Sequence, residues 1–195
     1  LFAKNGRHPE TRVDNYSEWG RRGGWSSSSG RGWANLSNAP FRMYKRYTHE
    51  GGVATPLIVH WPDGLKDQNK LRHSPGHIID IAPTCLNAAG LSTKGMEGQT
   101  LLPVFTKDST QPRTLFWEHE GNRAVRQGDY KLVAQHNTSW ELYNMRKDRS
   151  ELHDLTKSMP QKATELKRLY EAWAHRVGAK PWDEVSVIKN KKPKK

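Results

Sequence analysis

Between residues 115 and 178 the hydrophobic period changes once, and that change restricts the fold more than any other feature of the sequence. Leu115-Phe116-Trp117-Glu118, Arg123-Ala124-Val125-Arg126, Tyr130-Lys131-Leu132-Val133-Ala134 and Trp140-Glu141-Leu142-Tyr143 are too short for helices and rich in residues that suit a pleated surface. Gly128-Asp129 between the middle two is a hairpin signal. Further on, Ser158 and Gln161 have the spacing of a capping box. Leu166, Leu169, Tyr170, Trp173 and Val177 then recur at helical spacing until Gly178 ends the run. Lys162, Lys167, Arg168 and Glu171 occupy the polar face, with Lys167 and Glu171 four apart. The economical solution is a small antiparallel sheet packed by one C-terminal helix, with the aromatic stripe as its core.

The first half of the chain has another rhythm. Thr55-Pro56-Leu57-Ile58-Val59-His60-Trp61, closed by Pro62-Asp63-Gly64, fits a largely buried strand ending in a turn. Asp80 is placed to N-cap a short helix bearing Ile81, Thr84, Cys85, Leu86 and Ala89, with Pro83 in its first turn and Gly90 at its end. A strand followed by a helix suggests the edge of an α/β layer. Residues 4–40, rich in Gly, Ser, Asn and Arg, keep no period. Trp19, Trp25 and Trp33 argue for a long ordered loop there, suited to walling a pocket, because disordered segments are poor in aromatics.

Composition excludes several classes. The 195 residues carry a formal charge of +12, but five of the lysines lie in the last seven residues, where a solvated tail is expected rather than a nucleic-acid site. No apolar run approaches the ~20 residues that span a bilayer. One cysteine, Cys85, excludes an intrachain disulfide or a cysteine-based zinc cluster, and its apolar setting reads as core. Leu1-Phe2-Ala3-Lys4 has neither an initiator Met nor a signal pattern, so sequence upstream is expected.

The stretch with the most chemistry is Asn38 to Gly52, in which Arg42, Lys45, Arg46, His49 and Glu50 converge on Gly51-Gly52. Paired glycines let a backbone approach a ligand or another segment closely. Lysine is a compact charge for an anion, and His49 could give or take a proton. A solvated basic loop has the same composition, so the residues alone leave both readings open. A zinc-protease helix, a phosphate-binding Gly-Lys-Ser/Thr loop and a Gly-x-Ser-x-Gly elbow are all absent.

Lys45 through Gly52, followed by Val53-Ala54-Thr55-Pro56-Leu57-Ile58-Val59-His60-Trp61-Pro62, closely resembles the block of type I (formylglycine-dependent) sulfatases that reads Lys, four residues, Glu-Gly-Gly, strand, Trp-Pro. Further blocks follow in register: Asp80-Ile81-Ala82-Pro83-Thr84, Gly98-Gln99-Thr100-Leu101-Leu102-Pro103, Arg123 to Leu132, Trp140 to Asn144, then Asp148, Glu151 and Asp154-Leu155. The resemblance runs from about Trp33 to Leu155 and is nearest to arylsulfatase A-like bacterial enzymes.

It implies the edge of an alkaline-phosphatase-like α/β sulfatase domain at 1–110, including the 4–40 loop, then a small sheet-plus-helix subdomain at 111–180 and a basic tail at 181–195. It implies hydrolysis of an aryl or carbohydrate sulfate by a formylglycine made by a maturase from a Cys or Ser in a Cys/Ser-x-Pro-x-Arg motif, beside a calcium ion held by Asp and Asn residues. Of these parts only Lys45 can be placed, as a catalytic cation on a sulfate oxygen; His49 and His119 are candidates for the pocket wall. Cys85 lacks the x-Pro-x-Arg context, and Lys4-Asn5-Gly6 departs from the family's Asp-Asn-Gly at a position where a lysine would repel calcium. The nucleophile and metal ligands are therefore expected upstream of Leu1. A phosphoryl or phosphonate hydrolase of the same superfamily, and a non-catalytic basic module for sulfated polymers, remain the competing readings. On the leading one, the purified 195-residue chain should not hydrolyse a chromogenic aryl sulfate; robust turnover by it would overturn the assignment.

Overall fold

The computed structural model describes residues 2–3, 25–26, 30–66, 69–108 and 113–185. Its centre is the expected meander. Strands β3 (Thr114–His119), β4 (Asn122–Gln127), β5 (Tyr130–Ala134) and β6 (Glu141–Asn144) pair antiparallel in chain order. Two-residue turns fix the first two registers. Gln127 faces Tyr130 across Gly128-Asp129, and His119 faces Asn122 across Glu120 and Gly121, both of which take positive φ as a tight hairpin requires. A two-residue β1 (Phe2–Ala3) pairs separately with β2 (Trp25–Ser26).

The register sorts the sheet into two faces. Phe116, Val125, Leu132 and Leu142 line up across one of them. Helix α5 (Pro160–Val177) covers that face with Leu166 and Tyr170. Phe116 stacks on Trp173 at 5.0 Å, and Trp140 meets Tyr170 edge-on at 5.3 Å, so the aromatic stripe is core. Burial among these groups pushes the Tyr170 hydroxyl up to about 12. Gly178 ends the helix in a left-handed conformation, its N–H and that of Ala179 donating back to His175 and Ala174. Two details differ from expectation. Pro160 occupies the first turn behind Met159, so Ser158 is no cap and its hydroxyl donates to Leu155 O instead. Val177 is 46% exposed, since the sheet ends before the last helical turn reaches it.

Helix α1 (Gly30–Ser37) lies within the segment expected as loop, and Ser37 and Asn38 finish it by donating to carbonyls four residues back. The rest of that expected loop, at 4–24 and 27–29, lies outside the described residues, as does 186–195 of the tail. A single turn, α2 (Glu50–Val53), follows. A 3-10 turn at Ile78–Asp80 runs into α3 (Ile81–Ala88), and α4 (Leu102–Thr106) precedes the sheet. Asp80 does not cap α3 with its side chain. Its carboxylate instead accepts from the N–H groups of His77 and Gln99 and from both arms of Arg113 at 2.8 and 2.9 Å. This fully buried group ties the α3 region to the start of β3. Cys85 is exposed rather than core, because α3 turns it away from the packed Pro83 and Thr84 side.

Segment 55–61 is not a buried strand. It has no ladder partner among the described residues, and Leu57 and Ile58 are 55% and 89% exposed. A strand exists only through its neighbour, so apolar patterning without one leaves open surface. Its closing turn does form, with Gly64 and Leu65 N–H donating to Trp61 O. Among the described residues no helix is long and apolar enough to cross a membrane.

Leu166→Ala should cost about 2–5 kcal/mol in denaturant unfolding, because it leaves a cavity against Val125 and Leu132. Ile58→Ser should change stability by less than about 0.5 kcal/mol and lower the binding of a hydrophobic dye. Equal costs for the two would contradict this placement of the core.

Candidate active site

The second face of the sheet carries charged groups beside a small apolar cluster, and the Lys45 segment packs on it. Residues 42–51 form a ring, closed where Gly51 N–H donates to Arg42 O at 2.8 Å. A Cβ at Gly51 would run into the carbonyls of Arg42 and Met43, and one at Gly52 into that of Tyr47. The glycine pair is there because backbone crosses backbone. Met43 and Lys45 have positive φ, which turns the chain through the apex of the ring, and Lys45 is exposed there. Tyr44 and Tyr47 meet edge-on at 5.4 Å behind it.

Beneath the ring lies a network of charges. On β5, Lys131 is fully buried, with its Nζ 3.0 Å from Glu50 Oε1 and 2.9 Å from Glu151 Oε1. The other oxygen of Glu50 accepts from Arg149 at 3.1 Å. Burial works to raise the Glu50 pKa, but the Lys131 charge and the hydrogen bonds from Lys131 and Arg149 outweigh it, and the carboxyl ends below its ordinary value. Next to this cluster Arg42 donates to Tyr143 Oη at 2.8 Å and to Glu151 O at 2.7 Å. Tyr143 Oη in turn donates to Glu141 Oε2 at 2.9 Å. Burial, then that carboxylate, pushes the Tyr143 hydroxyl well above its ordinary pKa.

The three residues singled out from the sequence are divided by this arrangement. Lys45 faces solvent at the apex. His49 is 1% exposed, beneath the ring, with Nε2 3.2 Å from Glu141 Oε2. Burial lowers its pKa more than the nearby carboxylates raise it, so the ring is neutral at pH 7 and donates from Nε2. His119 is exposed at the end of β3, near the ring, for Asn122 Nδ2 reaches both His119 O and Arg46 O. Arg42, Lys131, Glu141, Tyr143, Arg149 and Glu151 were not anticipated as site residues. One signal was present: a lysine enclosed by apolar neighbours in Tyr130-Lys131-Leu132-Val133-Ala134 must find an acid if both faces of its strand are covered.

The arrangement fixes the backbone from which the exposed Lys45 side chain projects, at an apex that an anion can reach. It does not fit a calcium site. The buried carboxylates of Glu50, Glu151 and Asp80 are already engaged by Lys131, Arg149 and Arg113, and the described residues contain no cluster of three potential metal ligands.

The comparisons with known proteins agree on one family. The model of the C-terminal region of N-sulphoglucosamine sulphohydrolase matches residues 41–175. An uncharacterized sulfatase of Schizosaccharomyces pombe is 30% identical over 151 residues, which is 69% of this chain and 27% of that protein. N-acetylgalactosamine-6-sulfatase of Mus musculus is 35% identical over 118 residues, 57% of this chain and 22% of that one. Among solved structures, Ps i-CgsB superposes with a TM-score of 0.63 at 28% identity, covering 72% of this chain and 34% of that one; it is also known in complex with k-i-k-neocarrahexaose. The chain thus spans about a quarter of the length of the curated relatives it matches.

Acidification should destabilise the chain in two stages. His49 and His77 both have pKa values lowered by burial, so the unfolded chain binds more protons below about pH 6.5 and stability falls there. Glu50, held low by Lys131, adds a further loss as pH falls through the carboxylate range. His49→Gln should flatten the first stage of a melting-temperature profile against pH; a profile unchanged by that substitution would contradict the buried neutral imidazole.

Proposed function

This chain belongs to the sulfatase family, with an alkaline-phosphatase-like fold, and on that premise we propose that it serves a hydrolase of sulfate esters in which Lys45 meets the sulfate group. The observation that carries this reading is the ring itself. A glycine pair, two left-handed residues and a buried ion network together fix the backbone at one exposed lysine, a construction that a solvated basic loop does not need. An ammonium carried on a fixed backbone stabilises charge where it develops on the sulfate and leaving oxygens. His119, on the same side of the sheet, is proposed as a wall of the substrate pocket, and His49 supports the ring from beneath through Glu141.

A carbohydrate sulfate is the proposed substrate class, supported by the sugar sulfate in the name of the mouse relative and the oligosaccharide bound by Ps i-CgsB. A formylglycine nucleophile made by a maturase, and a calcium ion, are the finer chemistry proposed for the whole protein, with ligands outside the described residues. Residues 1–110 are read as part of the large α/β domain and 111–180 as its C-terminal subdomain, with 181–195 a basic tail.

In the full gene product, Lys45→Ala should lower kcat/KM on an aryl sulfate by roughly 10²–10³, and Lys45→Arg should recover little, since a planar fork does not replace a point charge. Arg46→Ala is the neighbouring control. Arg46 pairs at 3.2 Å with Glu120 at the surface, where such pairs contribute little. Equal turnover for the two alanine variants, both folded, would remove the assignment of Lys45.

A further inference from the structure

The ring that carries Lys45 has two feet, and one residue holds both. Glu151 O accepts from Arg42 Nη1 at 2.7 Å, at the start of the ring. Glu151 Oε2 accepts from the backbone N–H of Glu50 at 2.8 Å, at its end. The remaining oxygen, Oε1, faces Lys131 Nζ at 2.9 Å, a charge contact that aims the side chain. Glu151 is fully buried. It also adopts φ +56°, a region that residues other than glycine seldom occupy unless their surroundings impose it. Those surroundings are the turn at 148–151. Glu151 N–H donates to Asp148 O, and the Asp148 carboxylate accepts from the N–H groups of Leu152 and His153. Among the described residues nothing binds the Lys45 ammonium itself, so its place is set only by the backbone of the ring.

We infer that Glu151 is the positioning residue of the site: by gripping Arg42 and Glu50 together it sets where Lys45 reaches. This rests on the reading of Lys45 as the cation that meets sulfate. Glu151 touches neither Lys45 nor any group that would react, so its influence passes through the ring. A glutamate suits the task because one oxygen must accept from the Glu50 amide while the other sets negative charge against Lys131. Glutamine at 151 would keep the volume, lose the charge facing Lys131, and weaken the bond to the amide.

Two measurements test this. The first needs no activity. In the 195-residue chain, Glu151→Gln should speed amide hydrogen exchange at Glu50 and Gly51 by roughly ten- to a hundredfold, the size expected for a lost bond to a charged acceptor. The amides of β4 and β5 should keep their rates. Unchanged rates at Glu50 and Gly51 would overturn the grip, and equal acceleration throughout the sheet would reduce Glu151 to a general stabiliser. If Glu151→Gln does not fold, Arg42→Gln, which releases only the other foot, should speed exchange at Gly51, whose N–H donates to Arg42 O, while Glu50, still bonded to Glu151, and the amides of β4 and β5 keep their rates; an unchanged rate at Gly51 would overturn the grip.

The second measurement is a double-mutant cycle in the full gene product on an aryl sulfate. Glu151→Gln should lower kcat/KM by about tenfold when Lys45 is present and by less than about twofold in the Lys45→Ala background, because a residue that acts through Lys45 has nothing left to position. Additive losses would overturn the inference. If Lys45→Ala alone costs nothing, the reading of Lys45 fails and with it the role of Glu151 in turnover, while the exchange rates still report separately whether the ring is gripped.

Discussion

An ammonium group buried in the middle of a four-stranded sheet sets the conditions that the rest of this structure meets. Lys131 has no solvent to turn to, and an unpaired charge at such a site costs several kcal/mol. Its two carboxylates come from segments far apart in the chain, Glu50 before the sheet and Glu151 after it. Satisfying Lys131 therefore brings both segments onto the same face. Arg149 on Glu50 and Arg42 on Glu141 complete the cluster, and Arg126 lies within the same field. Replacing such a network by apolar groups can be neutral for stability. Its effect here is geometric, since it ties both ends of the ring to the sheet.

The sheet is thus covered on both faces by different chemistry. Apolar and aromatic contacts with α5 fill one side, and the ion network with the 42–53 segment fills the other, together with the small cluster of Ala124, Val133, Tyr143 and Met145. An antiparallel sheet of this size often leaves one face to water. Covering both gives the Lys45 ring a rigid floor, and a functional group on a loop is only as well placed as the scaffold beneath it. The Asp80–Arg113 pair does the same for the α3 region: one buried carboxylate meets two backbone amides and a forked guanidinium, and so fixes how that region meets β3.

Features that depend on a few neighbouring residues were legible in the sequence. Period separated the four strands from α5, Gly128 marked a hairpin, Gly178 ended a helix, and Gly51-Gly52 announced a close backbone crossing. Resemblance to sulfatase blocks selected Lys45, and the structure places it at an exposed apex. Features that depend on what another segment supplies were misread. Segment 55–61 has the composition of a buried strand but no partner beside it, Cys85 and Val177 have apolar settings in sequence and open ones in space, and Asp80 serves an arginine rather than the helix that follows it.

The sequence by itself determined the four strands of the meander, α5 with its glycine end, and the tight turns, because propensity, period and left-handed turns are settled over a few residues of chain. Tertiary structure alone decided which charges meet. Arg42 and Glu151 are 109 residues apart, Glu50 and Glu151 are 101 apart, and Lys131 and Glu50 are 81 apart. No local pattern links such positions; they are joined because burying Lys131 requires acids at close range, and only the folded sheet brings them there.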